Sequence, residues 1–242
     1  MTRFIYVVNY YGQISNKKAA ELKQAFGNII FDNVHAFFQK PIKGIDTIYS
    51  CRKFFGVPDG GYISTNAVLE DALLTDHSET RMKHILGRFD DGRASDYYDD
   101  FKRNEQSFPD LELKAMSRLT HNLLGAIDYQ KVKSKREQNF ALLHAHLSGV
   151  NSLQLKTPVG PYAYPFYCKN GAAIRKHLVE NKIYVPLLWP EVLETDQPFE
   201  RDLAENILPL PCDQRYGLED MERIVSLILQ ILNSQSRNNN SF

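Results

Sequence analysis

Four side chains that can do chemistry together stand near the start of the chain: Asp32, His35, Ser50 and Lys53. They fall in two short segments, Phe31-Asp32-Asn33-Val34-His35 and Tyr49-Ser50-Cys51-Arg52-Lys53, each at the end of an apolar run. A carboxylate can pair with a protonated ring nitrogen. An imidazole can bond a ring hydroxyl, a serine hydroxyl can anchor a phosphate, and a lysine amine can form an imine with an aldehyde. The amine must be unprotonated to do so, which calls for burial or a nearby cation such as Arg52. Taken singly, each residue has a plainer reading. Lys53 is then a surface lysine in a basic loop, Asp32 a turn or N-cap aspartate, His35 a packed histidine and Ser50 a turn serine. Their order on successive strand ends carries the signal.

The elements that must position them are legible as patterns. Phe4 to Val8 is a continuous β-branched and aromatic run and predicts a strand buried on both faces. Ser15 reads as an N-cap, Ala19, Leu22, Ala25 and Phe26 follow at helical spacing, and Gly27 closes the helix. Further strands are predicted at Ile29–Phe31, ending at Asp32, at Asp46–Ser50 and at Gly61–Thr65. Strand, helix, strand argues a βαβ unit in a mainly parallel sheet. Ligands of such sheets lie beyond the carboxyl ends of the strands, where Asn9, Asp32 and Ser50 fall.

Helices are predicted at Asn66–Leu74, at Glu79–Phe89 and through a long stretch from 111 to 147, with Asp90 to Pro109 an exposed polar connection. The acids in that connection, Asp96, Asp99 and Asp100, read as a solvated face rather than a metal cluster, and no metal is expected. Short strands are predicted at Ala163–Tyr167 and Ile207–Leu210, and helices at Gly171–Asn181 and Glu219–Leu232, with a frayed tail from Asn233. This divides the chain into 1–147, the remainder of a large domain, and 148–242, a small α+β domain. Trp189 reads as core or rim of the small domain, and Arg175 and Lys176 as solvated.

Composition narrows the function classes. Of 242 residues, Lys plus Arg number 29 and Asp plus Glu number 29, so the chain lacks the basic excess of a nucleic-acid binder. No apolar run is long enough to span a bilayer. Three widely spaced cysteines, Cys51, Cys168 and Cys212, form no CxxC pair and fit a reducing cytoplasm.

The constellation resembles fold-type I enzymes dependent on pyridoxal 5'-phosphate (PLP), and in particular the DegT/StrS family of sugar aminotransferases. Asp32-Asn33-Val34-His35 matches the family's Asp-x-x-His. Ser50 precedes Lys53, and Gly60-Gly61 follows it. Asn9-Tyr10-Tyr11-Gly12 looks like the turn ahead of the acid-bearing strand. Ile207 to Cys212 with Leu218-Glu219-Asp220-Met221 resembles the family's last strand and helix. The resemblance implies the C-terminal part of a PLP-transferase α/β fold, with a partial, mainly parallel sheet and then the small α+β domain.

It also implies an aminotransferase with PLP held as a Schiff base on Lys53. Asp32 would sit at the ring nitrogen, His35 at the ring hydroxyl and Ser50 at the phosphate. The implied partners are an amino donor, typically glutamate, a keto sugar nucleotide of polysaccharide biosynthesis, and a second subunit in a homodimer. The family carries a long stretch ahead of the strand that begins here at Phe4, with a phosphate loop and an aromatic that stacks on the ring. The serine lies closer to the lysine than in many members, and the Asn-x-Arg segment that reaches the partner's cofactor has no equivalent between Glu112 and Asp128. The expectation is thus of a fragment.

Three rival readings stand beside this. One is a truncated or degenerate non-catalytic protein acting by association through an unpaired sheet edge. Another is a different PLP-dependent reaction, such as dehydration, on the same scaffold. The third is a serine nucleophile in Ser50-x-x-Lys53, which lacks the companion Ser-Asp-Asn and Lys-Thr-Gly segments.

Overall fold

In the computed structural model the described residues are 4–91, 94–108 and 112–239. Two compact units divide the chain, the first comprising residues 1–10 and 14–129, the second 11–13 and 130–242.

The first unit is built on a four-stranded sheet in the order β1 (Ile5–Val8), β2 (Ile29–Asp32), β3 (Asp46–Ser50), β4 (Gly61–Ser64). The first three strands are parallel, and β4 runs antiparallel to β3. Helix α1 (Asn16–Phe26) crosses from β1 to β2. The Ser15 hydroxyl caps it by accepting the Lys18 amide at 3.2 Å, and Gly27 ends it at φ +80°, a conformation that only glycine adopts cheaply. Ala19 and Leu22 pack on Ile29, Phe31 and Ile45, so one face of the sheet is covered by α1.

The expectation that β1 is buried on both faces does not hold. Ile5 is 40% and Tyr6 55% exposed, and among the described residues β1 is the sheet's edge strand and pairs only with β2. Its apolar run specifies a strand without specifying a cover.

The segment Asn66–Leu74, expected as helix, is irregular, with bends at Asn66, Glu70 and Asp71, and Thr75 after it bridges Ala115. Its Val68 and Leu69 are exposed, so no helical stripe is buried there. Glu79 to Phe89 resolves into a 3-10 turn (Glu79–Arg81) and α2 (Lys83–Asp91). In the polar connection after it, Gly92 and Arg93 lie outside the described residues, and α3 forms at Tyr98–Ser107. Its acids pair with cations: Asp99 with Lys102 at 2.7 Å, and Asp100 with Lys83 at 3.3 Å and with Arg103. Charge pairing one turn apart supports a helix that burial alone would not. Pro109, Asp110 and Leu111, the last of which begins the long predicted stretch, lie outside the described residues. The rest of that stretch is extended to Ser117 and then forms α4 (Arg118–Gly125) and α5 (Tyr129–Leu147).

The second unit packs α5, α6 (Gly171–Glu180) and α8 (Leu218–Asn239) on a two-stranded antiparallel ribbon, β5 (Tyr164–Tyr167) with β6 (Ile207–Leu210). Phe140, Tyr164, Phe166, Ile174, Leu208 and Ile228 are fully buried in its core. Helix α8 runs through the expected frayed tail as far as Asn239. Helix α7 (Pro198–Asn206), which the sequence reading did not anticipate, precedes β6 and starts on a proline in its first turn, where the missing N–H costs nothing.

Candidate functional site

Strand register decides which side chains meet. Val8 pairs with Asp32, Asp32 with Ile48, and Ser50 with Gly61. Paired residues share a face and alternate residues along a strand return to it. Tyr6, Asp32 and Ser50 therefore share one face, opposite to the face that α1 covers. The strand ends are tied in a row. The Asn9 amide donates to the Asp32 carbonyl at 2.9 Å, the Asn33 amide to the Ile48 carbonyl at 2.9 Å, and the Cys51 amide to the Gly60 carbonyl at 3.1 Å.

Two glycines make the last of these links possible. Gly60 has φ +98°, and a Cβ there would meet Thr120 Cγ2 at 2.9 Å. A Cβ on Gly61 would lie 2.7 Å from the Tyr49 carbonyl oxygen. A side chain at Gly61 would push β4 away from the end of β3, and one at Gly60 would press on Thr120 of α4.

Lys53 stands on the turn after β3. The Phe54 and Phe55 amides both donate to the Cys51 carbonyl, at 3.1 and 3.0 Å. Cys51, Phe54, Phe55 and Val57 are buried, whereas Lys53 between them is exposed. Phe54 and Phe55 anchor the turn in an aromatic cluster around Phe37, with ring centroids 5.6 and 4.9 Å from it. The turn thus drives its apolar groups inward and leaves Lys53 exposed. Surrounding protein mass lowers the Lys53 ammonium, Arg52 lowers it further, and Asp32 opposes them. Because Lys53 touches solvent, the desolvation is partial. Arg52 itself pairs with Glu105, and its guanidinium lies 4.0 Å from the Phe108 ring centroid.

Asp32 is 7% exposed and both of its oxygens are held. The Val34 amide donates to Oδ1 at 2.8 Å, and the Tyr6 hydroxyl donates to Oδ2 at 2.6 Å. His35 is 3% exposed, and its imidazole is pushed down to about 3, first by burial and then by the Lys53 charge. It is neutral at neutral pH, so it can offer one donor and one acceptor. Lys53 is thus within electrostatic reach of both Asp32 and His35, and Ser50 is half-buried on the Asp32 face.

Sequence reasoning missed two parts of this arrangement. Tyr6 on β1 reaches Asp32 only because of the parallel register, which the sequence does not display. An amide network stands behind the strand ends. Asn9 Nδ2 donates to Asn33 Oδ1 and to Gln39 Oε1, both at 2.9 Å, and the Gln39 carbonyl accepts from the Tyr49 hydroxyl at 2.9 Å. Fully buried Asn9 and Asn33, each ending an apolar run, were the available signal.

Two cavities of about 320 Å3 each occur in the first unit. One is walled by Phe37, Phe38, Tyr49 and Tyr62, and the other by Arg81, His84, Asp100 and Asn104. Neither is lined by Asp32, His35 or Lys53.

The parallel sheet with an antiparallel fourth strand and α1 on one face form an α/β fold, the one found in solved PLP-dependent aminotransferases. Solved structures agree. The chain is similar to a DegT DnrJ EryC1 StrS aminotransferase from Brucella abortus, at 14% identity and TM-score 0.58, over 94% of this chain and 64% of that one. It is similar to a sugar aminotransferase from Micromonospora echinospora, at 15% identity and TM-score 0.56, over 94% and 67%. It is likewise similar to the GDP-4-keto-6-deoxy-D-mannose-3-dehydratase of E. coli with bound hydrated PLP, at 14% identity and TM-score 0.56, over 93% and 67%. At these identities the likeness establishes the fold. The chain spans 64% of the length of the Brucella protein. No family model and no curated protein matches the sequence.

Proposed function

We propose that the chain is part of a PLP-dependent aminotransferase of the DegT/StrS kind, acting on the keto group of a nucleotide-linked sugar in polysaccharide biosynthesis. The observation that carries the proposal is the convergence of Lys53, Asp32 and His35 at adjoining strand ends, each perturbed by or perturbing the next. The donor set fits the cofactor. Each Asp32 oxygen has one donor and keeps a second lone pair for a ring N–H. Neutral His35 suits a ring hydroxyl, and the lowered Lys53 amine suits covalent attachment to an aldehyde. Ser50 on the same face is the residue assigned to the phosphate.

When bound, PLP supplies an electron sink that stabilises negative charge at the donor's Cα. The protein's part is to hold and move protons. Asp32 holds the proton on the ring nitrogen, His35 fixes the ring's tilt, and the Lys53 amine carries the proton between the donor's Cα and the cofactor. Glutamate as amino donor, homodimer assembly and a cytoplasmic setting belong to the same proposal. The last is supported by three free cysteines, two of them buried. No described helix is long and apolar enough to cross a membrane.

Titration with PLP tests the reading. The protein is expected to develop the absorbance of an imine and, after borohydride reduction, to carry the added mass on the peptide containing Lys53. Lys53→Ala is expected to abolish both. Mass on another lysine, or none, would overturn the assignment. Incubation with glutamate and a keto sugar nucleotide then separates amination from dehydration, the reaction named for the E. coli neighbour.

A further inference from the structure

Tyr6 lies outside every role assigned so far, and its placement is specific. Register sets Tyr6 opposite Ile30, one alternation before Asp32 on the same face, so its phenol crosses the diagonal to the carboxylate. The bond is short, 2.6 Å from hydroxyl to Oδ2, and joins a half-exposed side chain to a nearly buried one. The other oxygen is fixed by the Val34 amide at 2.8 Å. One backbone and one side-chain donor, on different oxygens, lock the plane of the carboxylate.

We propose that Tyr6 is a positioning residue, which through its hydroxyl holds the Asp32 carboxylate in the orientation that receives a protonated ring nitrogen. This rests on the cofactor reading above and adds a residue to it. The argument is geometric. The Val34 amide alone leaves the carboxylate free to turn about its terminal torsion, which is broad and roughly two-fold. The second donor removes that freedom, and an acceptor aligned in advance binds its donor without an ordering cost. The Tyr6 phenol, whose titration is pushed up to about 12 by burial and by Asp32, keeps its proton at all ordinary pH and so remains a donor.

Two ligands isolate the effect: PLP, and the ring analogue with carbon in place of the nitrogen, which offers Asp32 no N–H. Dissociation constants of both are measured by absorbance titration for the wild type, Tyr6→Phe and Asp32→Asn. Tyr6→Phe is expected to weaken PLP about five- to tenfold, the scale of an ordinary net hydrogen bond, and to leave the analogue unchanged. Equal weakening of both ligands would show a structural role only, and no change would show no role. Either result overturns the proposal.

Asp32→Asn distinguishes the two levels. If it narrows the preference for PLP over the analogue while Tyr6→Phe does not, the Tyr6 proposal fails and the cofactor reading stands. If it does not narrow the preference, or the wild type binds neither ligand, the cofactor reading fails and the proposal with it. Independently of ligand, the tyrosinate absorbance titrating near pH 12 in the wild type is expected to move down in Asp32→Asn. An unmoved titration would overturn the hydrogen bond on which the proposal depends.

Discussion

Substitution of Gly61 by alanine is the sharpest test of how β3 and β4 present Lys53. The added Cβ would stand 2.7 Å from the Tyr49 carbonyl oxygen, whereas ordinary contact starts at 3.4 Å. The obstacle is backbone, so no rotamer change relieves it, and the strands must separate by about 0.7 Å. The displaced pair is Ser50 with Gly61, immediately before the turn that carries Lys53. Overpacking of this kind costs about 1–3 kcal/mol. At about 2–4 °C per kcal/mol for a chain of this size, the melting temperature should fall by roughly 2–12 °C. Gly125→Ala is the control, because its Cβ meets nothing within 4 Å. Thermal melting by circular dichroism reads stability, and PLP titration reads the site. The expected result is a lower melting temperature and weaker PLP binding for Gly61→Ala, with neither for Gly125→Ala. A Gly61→Ala protein that melts and binds like the wild type would refute the argument that this glycine sets the strand spacing.

Other outcomes follow from single residues. His35 has a folded-state pKa of about 3 against an ordinary value of 6.5, so the unfolded chain binds the extra proton between those values. Stability contributed by neutral His35 is full above pH 6.5 and is lost as the pH falls toward 3. The slope approaches one proton, about 1.4 kcal/mol per pH unit. Urea melts across that range should show a shallower acid loss for His35→Gln, and an unchanged slope would count against a buried neutral imidazole. Ser117 caps α4 through the Thr120 amide at 3.1 Å and shares a 2.6 Å hydrogen bond with Ser78 in a buried setting. Ser117→Ala should cost about 1–2 kcal/mol, read as a shift in the urea midpoint, since it removes a cap and leaves Ser78 without that partner.

Legibility of the fold followed local chemistry. The cap at Ser15, the positive-φ glycine at Gly27 and the apolar runs of β2, β3, β5 and β6 were visible because each is decided within a few residues. The segment 66–74 misled because it lacks strand alternation, yet it forms no helix and its Val68 and Leu69 face solvent. Helix α3 was hidden because its strength lies in ion pairs between neighbouring turns rather than in burial.

The sequence by itself determined which groups are available for chemistry, because residue types and strand-end positions are local properties. It placed Asp32, His35, Ser50 and Lys53 in order and suggested an imine-forming lysine. Tertiary structure alone decided how they combine. Register between β1 and β2 brought Tyr6 onto Asp32, and burial made His35 neutral. The inward packing of Phe54 and Phe55 turned Lys53 outward. These are relations between residues distant in the chain, set by pairing and by what each side chain displaces from water.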